Sequence, residues 1–196
     1  MRISTAFLIT ITCSIISCKK DIIISDVLTN FKISQREVLA DGQSTVALSV
    51  QLSNKSSSDR RNVVFTTSAG TFAVSGSNKY TSKAEYENGN LIAKATLKSS
   101  TQPGVIKITV QPEFDSPIKE FVLSDSLVAK QSIPASIKLE PASFGIGSNF
   151  INEVFLTATL KSSTGKFVSK GYNVLFEDFI LNSSANGRFR ALSGAT

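Results

Sequence analysis

The sequence predicts an all-β chain of tandem β-sandwiches, the second incomplete. Three observations carry this expectation. Runs of alternating apolar and polar residues recur at short spacing, separated by Gly, Asn, Asp, Ser and Pro. Ser, Thr, Val and Ile are abundant while charged residues make up 18% of the chain, a strand-rich composition. The chain also repeats itself, with matching segments offset by 106 residues at the start of the repeat and by 118 at its end.

The first element is not a strand. Met1-Arg2-Ile3-Ser4-Thr5 supplies one cationic side chain, and Ala6-Phe7-Leu8-Ile9-Thr10-Ile11 begins an apolar stretch that closes at Ile15-Ile16-Ser17-Cys18. The stretch has the length of a secretory h-region and is too short to span a bilayer comfortably, which takes about 20 apolar residues. Its close resembles the lipobox of bacterial lipoproteins: apolar residues, a small residue, then the Cys that is acylated. Residues 1–17 are therefore expected to be a lipoprotein signal peptide, Cys18 the lipid attachment site and 18–26 a lipidated tether. Cys13 competes, but it lies inside the apolar stretch, whereas Cys18 sits at its edge beside Lys19-Lys20-Asp21. An ordinary signal peptide or an uncleaved anchor is the alternative. Cys13 and Cys18 are the two cysteines of the chain, so a mature chain beginning at an acylated Cys18 has no free thiol, no disulfide and no thiolate metal site. The lipid bilayer is then the first partner, since about two acyl chains suffice for stable anchoring.

Strands are expected next, at 29–34, 44–53, 62–67, 71–74, 78–86, 91–98, 105–111 and 118–124. Val46, Leu48, Val50 and Leu52 alternate with Ala47, Ser49 and Gln51. Leu91, Ala93, Ala95 and Leu97 alternate with Ile92, Lys94 and Thr96, and Ile106, Ile108 and Val110 with Lys107 and Thr109. A period of two places each apolar set on one face of a half-buried strand. Asn88-Gly89-Asn90 and Pro103-Gly104 mark turns. About eight short antiparallel strands in about a hundred residues is the sandwich pattern.

The repeat divides the chain into one unit at 27–132 and a second at 133–196. Phe31-Lys32-Ile33 matches Ile137-Lys138-Leu139, and the run 46–52 matches 154–160 in the same phase. Val63-Val64-Phe65 matches Val174-Leu175-Phe176, and Gly70-Thr71-Phe72 matches Gly187-Arg188-Phe189. The insertions fall in expected loops. Counterparts of 91–98, 105–111 and 118–124 are missing from the second unit. Either the sequence is a fragment, or a partner strand completes a half-built sandwich. Leu156, Ala158 and Leu160 define the core set of this unit. An outward Phe155 is a contact patch, or is covered by a neighbouring domain or loop.

Three segments carry a family resemblance: Leu39-Ala40-Asp41-Gly42-Gln43-Ser44-Thr45-Val46-Ala47-Leu48, then Val64-Phe65-Thr66-Thr67-Ser68-Ala69-Gly70-Thr71-Phe72, then Ala93-Lys94-Ala95-Thr96-Leu97-Lys98-Ser99-Ser100. They resemble bacterial immunoglobulin-like (Ig-like) domains of the invasin/intimin group. The resemblance covers 27–132 well and 133–196 in part, because the second copy carries Gly147-Ser148-Asn149 in place of the Asp41-Gly42 lead-in. It implies tandem Ig-like sandwiches serving as spacers, stalks or adhesin modules, and assigns no functional residue. Cys18-Lys19-Lys20-Asp21 is similar to lipoproteins of Bacteroidota, which implies the outer membrane and leaves exposure at the cell surface open. Asp125-Ser126-Leu127 resembles the O-glycosylation signal of that phylum, making Ser126 a candidate glycan site against a chance three-residue match.

Composition narrows the chemistry further. There is no His, which removes His-containing triads and His-based zinc sites. Removing Arg2 with the signal leaves twenty basic against fifteen acidic side chains, scattered along the chain. Such scatter reads as a solvated surface, and no aromatic-plus-basic platform favours nucleic acid. Glu85 with Glu87 is expected to be solvated beside a turn, and Glu177 with Asp178 to end a strand. Calcium-loop spacing is absent, and Gly145-Ile146-Gly147 reads as a loop. No enzyme activity, cofactor or metal is expected. The expected partner beyond the bilayer is an unidentified protein or glycan. The anchor makes 27–132 the membrane-proximal unit, with recognition expected at the distal end.

Overall fold

The computed structural model describes residues 24–113, 121–145 and 152–177. A single helical turn, α1 (Ile24–Val27), leads into ten strands that form two facing sheets. These are β1 (Leu28–Ile33), β2 (Glu37–Leu39), β3 (Thr45–Leu52), β4 (Asn62–Thr67), β5 (Thr71–Phe72), β6 (Lys79–Lys83), β7 (Glu85–Glu87), β8 (Asn90–Lys98), β9 (Gly104–Pro112) and β10 (Leu123–Lys130). One sheet runs β1-β3-β8-β5, with β7 also pairing β8. The other runs β2-β10-β9-β4-β6.

The alternating sets meet between the sheets. Val46, Leu48, Val50 and Leu52 of β3 and Leu91, Ala93, Ala95 and Leu97 of β8 face Val63 and Phe65 of β4 and Ile106, Ile108 and Val110 of β9. Leu127 and Ala129 complete the core from β10. Burying one such Leu, Ile or Phe contributes about 1.5–3 kcal/mol, so these strands hold the sandwich without disulfides. Phe65 and Phe72 pack edge to face, with ring centroids 6.3 Å apart. The polar residues between them point outward, as the period of two requires.

The strand order is that of an immunoglobulin sandwich, and the chain is all-β with this Ig-like architecture. Its first strand is divided between the sheets. β1 pairs antiparallel with β3, the chain crosses over at 34–36, and β2 pairs parallel with β10. Asn88-Gly89 forms the expected two-residue hairpin turn between β7 and β8, with φ of 50° and 79°. Positive φ at both central residues is the signature of a type I′ turn, whose twist suits the flanking strands.

Three strand expectations need correction. β2 was not anticipated, since a three-residue strand is too short to show a period. The expected run 78–86 is two strands, because the chain changes sheets at buried Ala84: β6 pairs β4, while β7 pairs β8. The last strand of the sandwich is Leu123–Lys130, later than the expected 118–124, of which 118–120 lie outside the described residues.

Beyond the sandwich, β11 (Ser136–Pro141) and β12 (Leu156–Lys161) form an antiparallel pair. They correspond to β1 and β3 of the first copy. Lys32 pairs Ser49, and their sequence counterparts are Lys138 and Thr157, yet Lys138 pairs Thr159. This shift of two residues keeps every side chain on its original face. Ile137, Leu139, Leu156 and Leu160 therefore share one face, of which Ile137 and Leu139 are more than half exposed.

Candidate functional site

The most tightly built polar feature is the turn from β2 into β3. Ala40 and Asp41 are fully buried at one pole of the sandwich. The Asp41 carboxylate accepts hydrogen bonds from the Gln43 N–H (2.8 Å) and the Ser44 N–H (2.6 Å), which fold the chain into an Asx-type turn. It also accepts from the hydroxyls of Ser44 (2.6 Å) and Ser99 (3.1 Å). Ser99 lies just past β8, and its N–H donates to the Ser44 carbonyl at 2.8 Å. The buried acid thus ties the turn before β3 to the loop after β8. Burial pushes the Asp41 carboxyl up, but the hydrogen bonds from Ser44, Gln43 and Ser99 outweigh it and hold the group below the ordinary carboxylate range. Lys166 Nζ stands 3.9 Å from Asp41 and donates to Ser44 Oγ at 2.9 Å.

The two glycines of the resembling segments answer to the same backbone constraints. Gly42 has φ +66°, and a Cβ there would meet the Thr101 methyl at 2.9 Å. Gly70 has φ +77°, and its Cβ would run into the Lys98 carbonyl oxygen. Both sit where a loop crosses the strand end at Lys98–Ser100, so close approach as well as left-handed backbone requires glycine. These motifs therefore specify the turns that close this pole.

Of the residues singled out in the sequence, Cys18 lies outside the described residues. Ser126 is exposed on the outer face of β10. Its N–H donates to the Asp125 carboxylate at 2.8 Å, and its carbonyl accepts from Arg36 at 3.1 Å. Arg36 also pairs with Asp125 at 2.6 Å, pinning the β1–β2 crossover to β10. That hydrogen bond, aided by the Ser126 N–H, holds the Asp125 carboxyl below its ordinary range against a smaller cost of burial. Glu85 and Glu87 are exposed on β7, as expected, and Glu87 pairs with Lys94 at 2.6 Å. Asp178 and the Ile146-Gly147 pair lie outside the described residues. Phe144 is 98% exposed and Phe155 is 55% exposed, and Leu156 of the expected core set is exposed beside it.

An open cleft of about 340 Å³ follows the seam between β1 and β10, lined by Leu28, Asn30, Phe31, Leu123 and Asp125 among others. Two of its polar side chains are committed elsewhere: Asn30 donates to Gln51 at 2.8 Å, and Asp125 holds Arg36. Among the described residues no group of three or more acidic, His or Cys side chains is placed to hold a metal ion. No helix among them is long and apolar enough to cross a membrane. The Asp41 cluster is a saturated acceptor whose chemistry is that of a structural tie. Asp41 belongs to a motif visible in the sequence, whereas Lys166 belongs to none. The signal that points to Lys166 is the extra length of its loop relative to the first copy.

No family model matches the chain, and no curated protein matches it. Among solved structures it is similar to the D0-D1 domain of intimin, at 22% identity and a TM-score of 0.38, over 53% of this chain and 47% of that one. The D00-D0 domain of intimin matches at 17% identity and a TM-score of 0.38, over 57% and 51% of the two chains. A C-terminal 282-residue fragment of intimin, solved in complex with the intimin-binding domain of the translocated intimin receptor, matches at 19% identity and a TM-score of 0.39, over 69% and 47%. The chain spans about half the length of each of these. The Ig-like assignment itself rests on strand order and pairing.

Proposed function

We propose that the chain is a non-enzymatic surface lipoprotein, anchored in the outer membrane through acylated Cys18, whose Ig-like units serve as a spacer, stalk or adhesin module. The observation that carries this reading is the position of Cys18 at the polar edge of an apolar leader, shortly before a sandwich that starts at Leu28. In this reading 1–17 is the signal peptide, 18–26 the tether, 27–132 the first Ig-like unit and 133–196 the second. Two or more acyl chains would hold the protein at the bilayer surface. Ser126, outward on β10, is a hydroxyl that a glycosyltransferase could reach.

The test is fractionation of cells expressing Cys18→Ser. The variant is expected to leave the membrane fraction and to lose labelling by a palmitate analogue. Membrane retention at the wild-type level would overturn the anchor. A second reading, a module that binds a protein or glycan, is favoured by the exposed aromatic surface of Phe144 and Phe155. Glycan-array or pull-down binding that weakens in Phe144→Ala and Phe155→Ala supports it. A blank result with the wild-type chain counts against it.

A further inference from the structure

The pole of the first sandwich is occupied by a loop from the segment after β12, and this loop is one of the places where the two copies differ in length. Leu52 corresponds to Leu160 and Val63 to Val174, so the connection after β12 is three residues longer than the one after β3. The longer connection contains a braced turn. Gly165 N–H donates to the Ser162 carbonyl and Ser162 N–H to the Lys166 carbonyl, both at 2.9 Å, with Gly165 at φ 75°. Beyond that turn the chain reaches back to the first sandwich. Lys166 Nζ meets Ser44 beside Asp41. Ser169 Oγ donates to the Ala40 carbonyl at 2.8 Å and accepts from the Ser132 N–H at 2.8 Å. Ser169 N–H donates to the Ser132 carbonyl at 3.0 Å, and Lys170 N–H to the Thr101 carbonyl at 2.9 Å. Ser132 and Ser169 are almost wholly buried.

The geometry points to an orientation-fixing joint in which the Asp41 pole is the socket and the Lys166–Ser169 loop of the second unit is the plug. The inference rests on the two-unit reading proposed above and names what sits at the pole of its first unit. A single flexible connection at 131–135 would leave the second unit free to turn about the first. Contacts at Ala40, Ser44, Thr101 and Ser132 surround that connection and remove the freedom. The bonds made by Ser169 pair the polar groups that docking buries, so the closed joint leaves none of these groups unpaired. The buried carboxylate draws the Lys166 ammonium toward one side of the socket. The two units then project as one body, as a stalk module requires.

Amide hydrogen exchange and residual dipolar couplings on the full chain in detergent test the joint. In the wild type the Ser169 and Lys170 amides are expected to be protected, and the couplings of both units to fit one alignment tensor. In Ser169→Ala and in Lys166→Met those amides are expected to exchange at least about tenfold faster, while amides of β3, β8 and β9 keep their rates. Both substitutions lie outside the core of the first sandwich. Unprotected Ser169 and Lys170 amides in the wild type, two independent tensors, or unchanged protection in both variants would each overturn the joint. None of these outcomes touches membrane retention through Cys18, so failure of the joint and failure of the anchor are separable.

Discussion

Asp41 accepts four hydrogen bonds from residues of one turn and one neighbouring loop, and it is fully buried. Removing the carboxylate takes the acceptor from the Ser44 and Gln43 N–H groups and leaves the buried Ser99 hydroxyl without its partner. Asp41→Ala is therefore expected to cost about 3 kcal/mol, read from the urea midpoint at constant slope. A loss below about 1 kcal/mol would show that water or other groups satisfy these donors. The same bonds favour the charged form, so Asp41 stabilises the fold fully only above its unfolded value, about 4. That contribution is lost as pH falls through the lower folded value. Asp125 acts in the same direction but is more exposed, so its share is smaller and screened by salt. The urea midpoint is expected to fall steeply below about pH 4 in the wild type and less steeply in Asp41→Asn. Parallel profiles for the two proteins would remove Asp41 as the source of acid sensitivity.

At the scale of the element, three glycines with similar backbones separate conformational strain from steric conflict. Gly89 has φ +79° and open space where a Cβ would go, so Gly89→Ala carries the left-handed penalty alone, about 1 kcal/mol. Gly42→Ala adds a conflict with the Thr101 methyl, and Gly70→Ala a conflict with the Lys98 backbone, which cannot rotate aside. The expected order of destabilisation is Gly70, then Gly42, then Gly89, with Gly70→Ala costing roughly 3 kcal/mol or more. Equal losses at the three sites by thermal unfolding would contradict this account. The same elements show what was legible in the sequence. β3, β4, β8 and β9 stand within a residue or two of their expected bounds because strong alternation and turn residues mark their ends. β2 and the sheet change at Ala84 were not legible, since a strand crossing between sheets keeps its period while changing partners. β10 is shifted from its expected place because its inward residues, Leu127 and Ala129, give a weaker pattern than the apolar Phe121-Val122-Leu123, which leads into it and supplies its first residue. The joint was half legible: the insertion near Lys166 can be read from the repeat, but its destination is a tertiary contact that no local pattern encodes.

At the scale of the molecule, the two halves of the described chain depend on each other unequally. The first sandwich has two sheets and a closed core drawn from both. The β11–β12 pair offers one apolar face with Ile137 and Leu139 more than half exposed, and a two-stranded pair is marginal alone. The ties between them run through carbonyls of the first sandwich and its exit, at Ala40, Thr101 and Ser132. Dependence should therefore run one way. Ile108→Ala, which opens a cavity in the first core, is expected to cost about 2–5 kcal/mol there and to remove protection from the Ser169 and Lys170 amides along with it. Lys166→Met is expected to release the loop while changing the stability of the first sandwich by less than about 0.5 kcal/mol. Hydrogen exchange under graded denaturant distinguishes the two directions, because amides that open only by global unfolding share one free energy with the core they depend on. If Ser169 and Lys170 kept their protection after β3, β8 and β9 had lost theirs, the second unit would be holding its loop without the socket. The dependence would then be the reverse of that drawn from the packing.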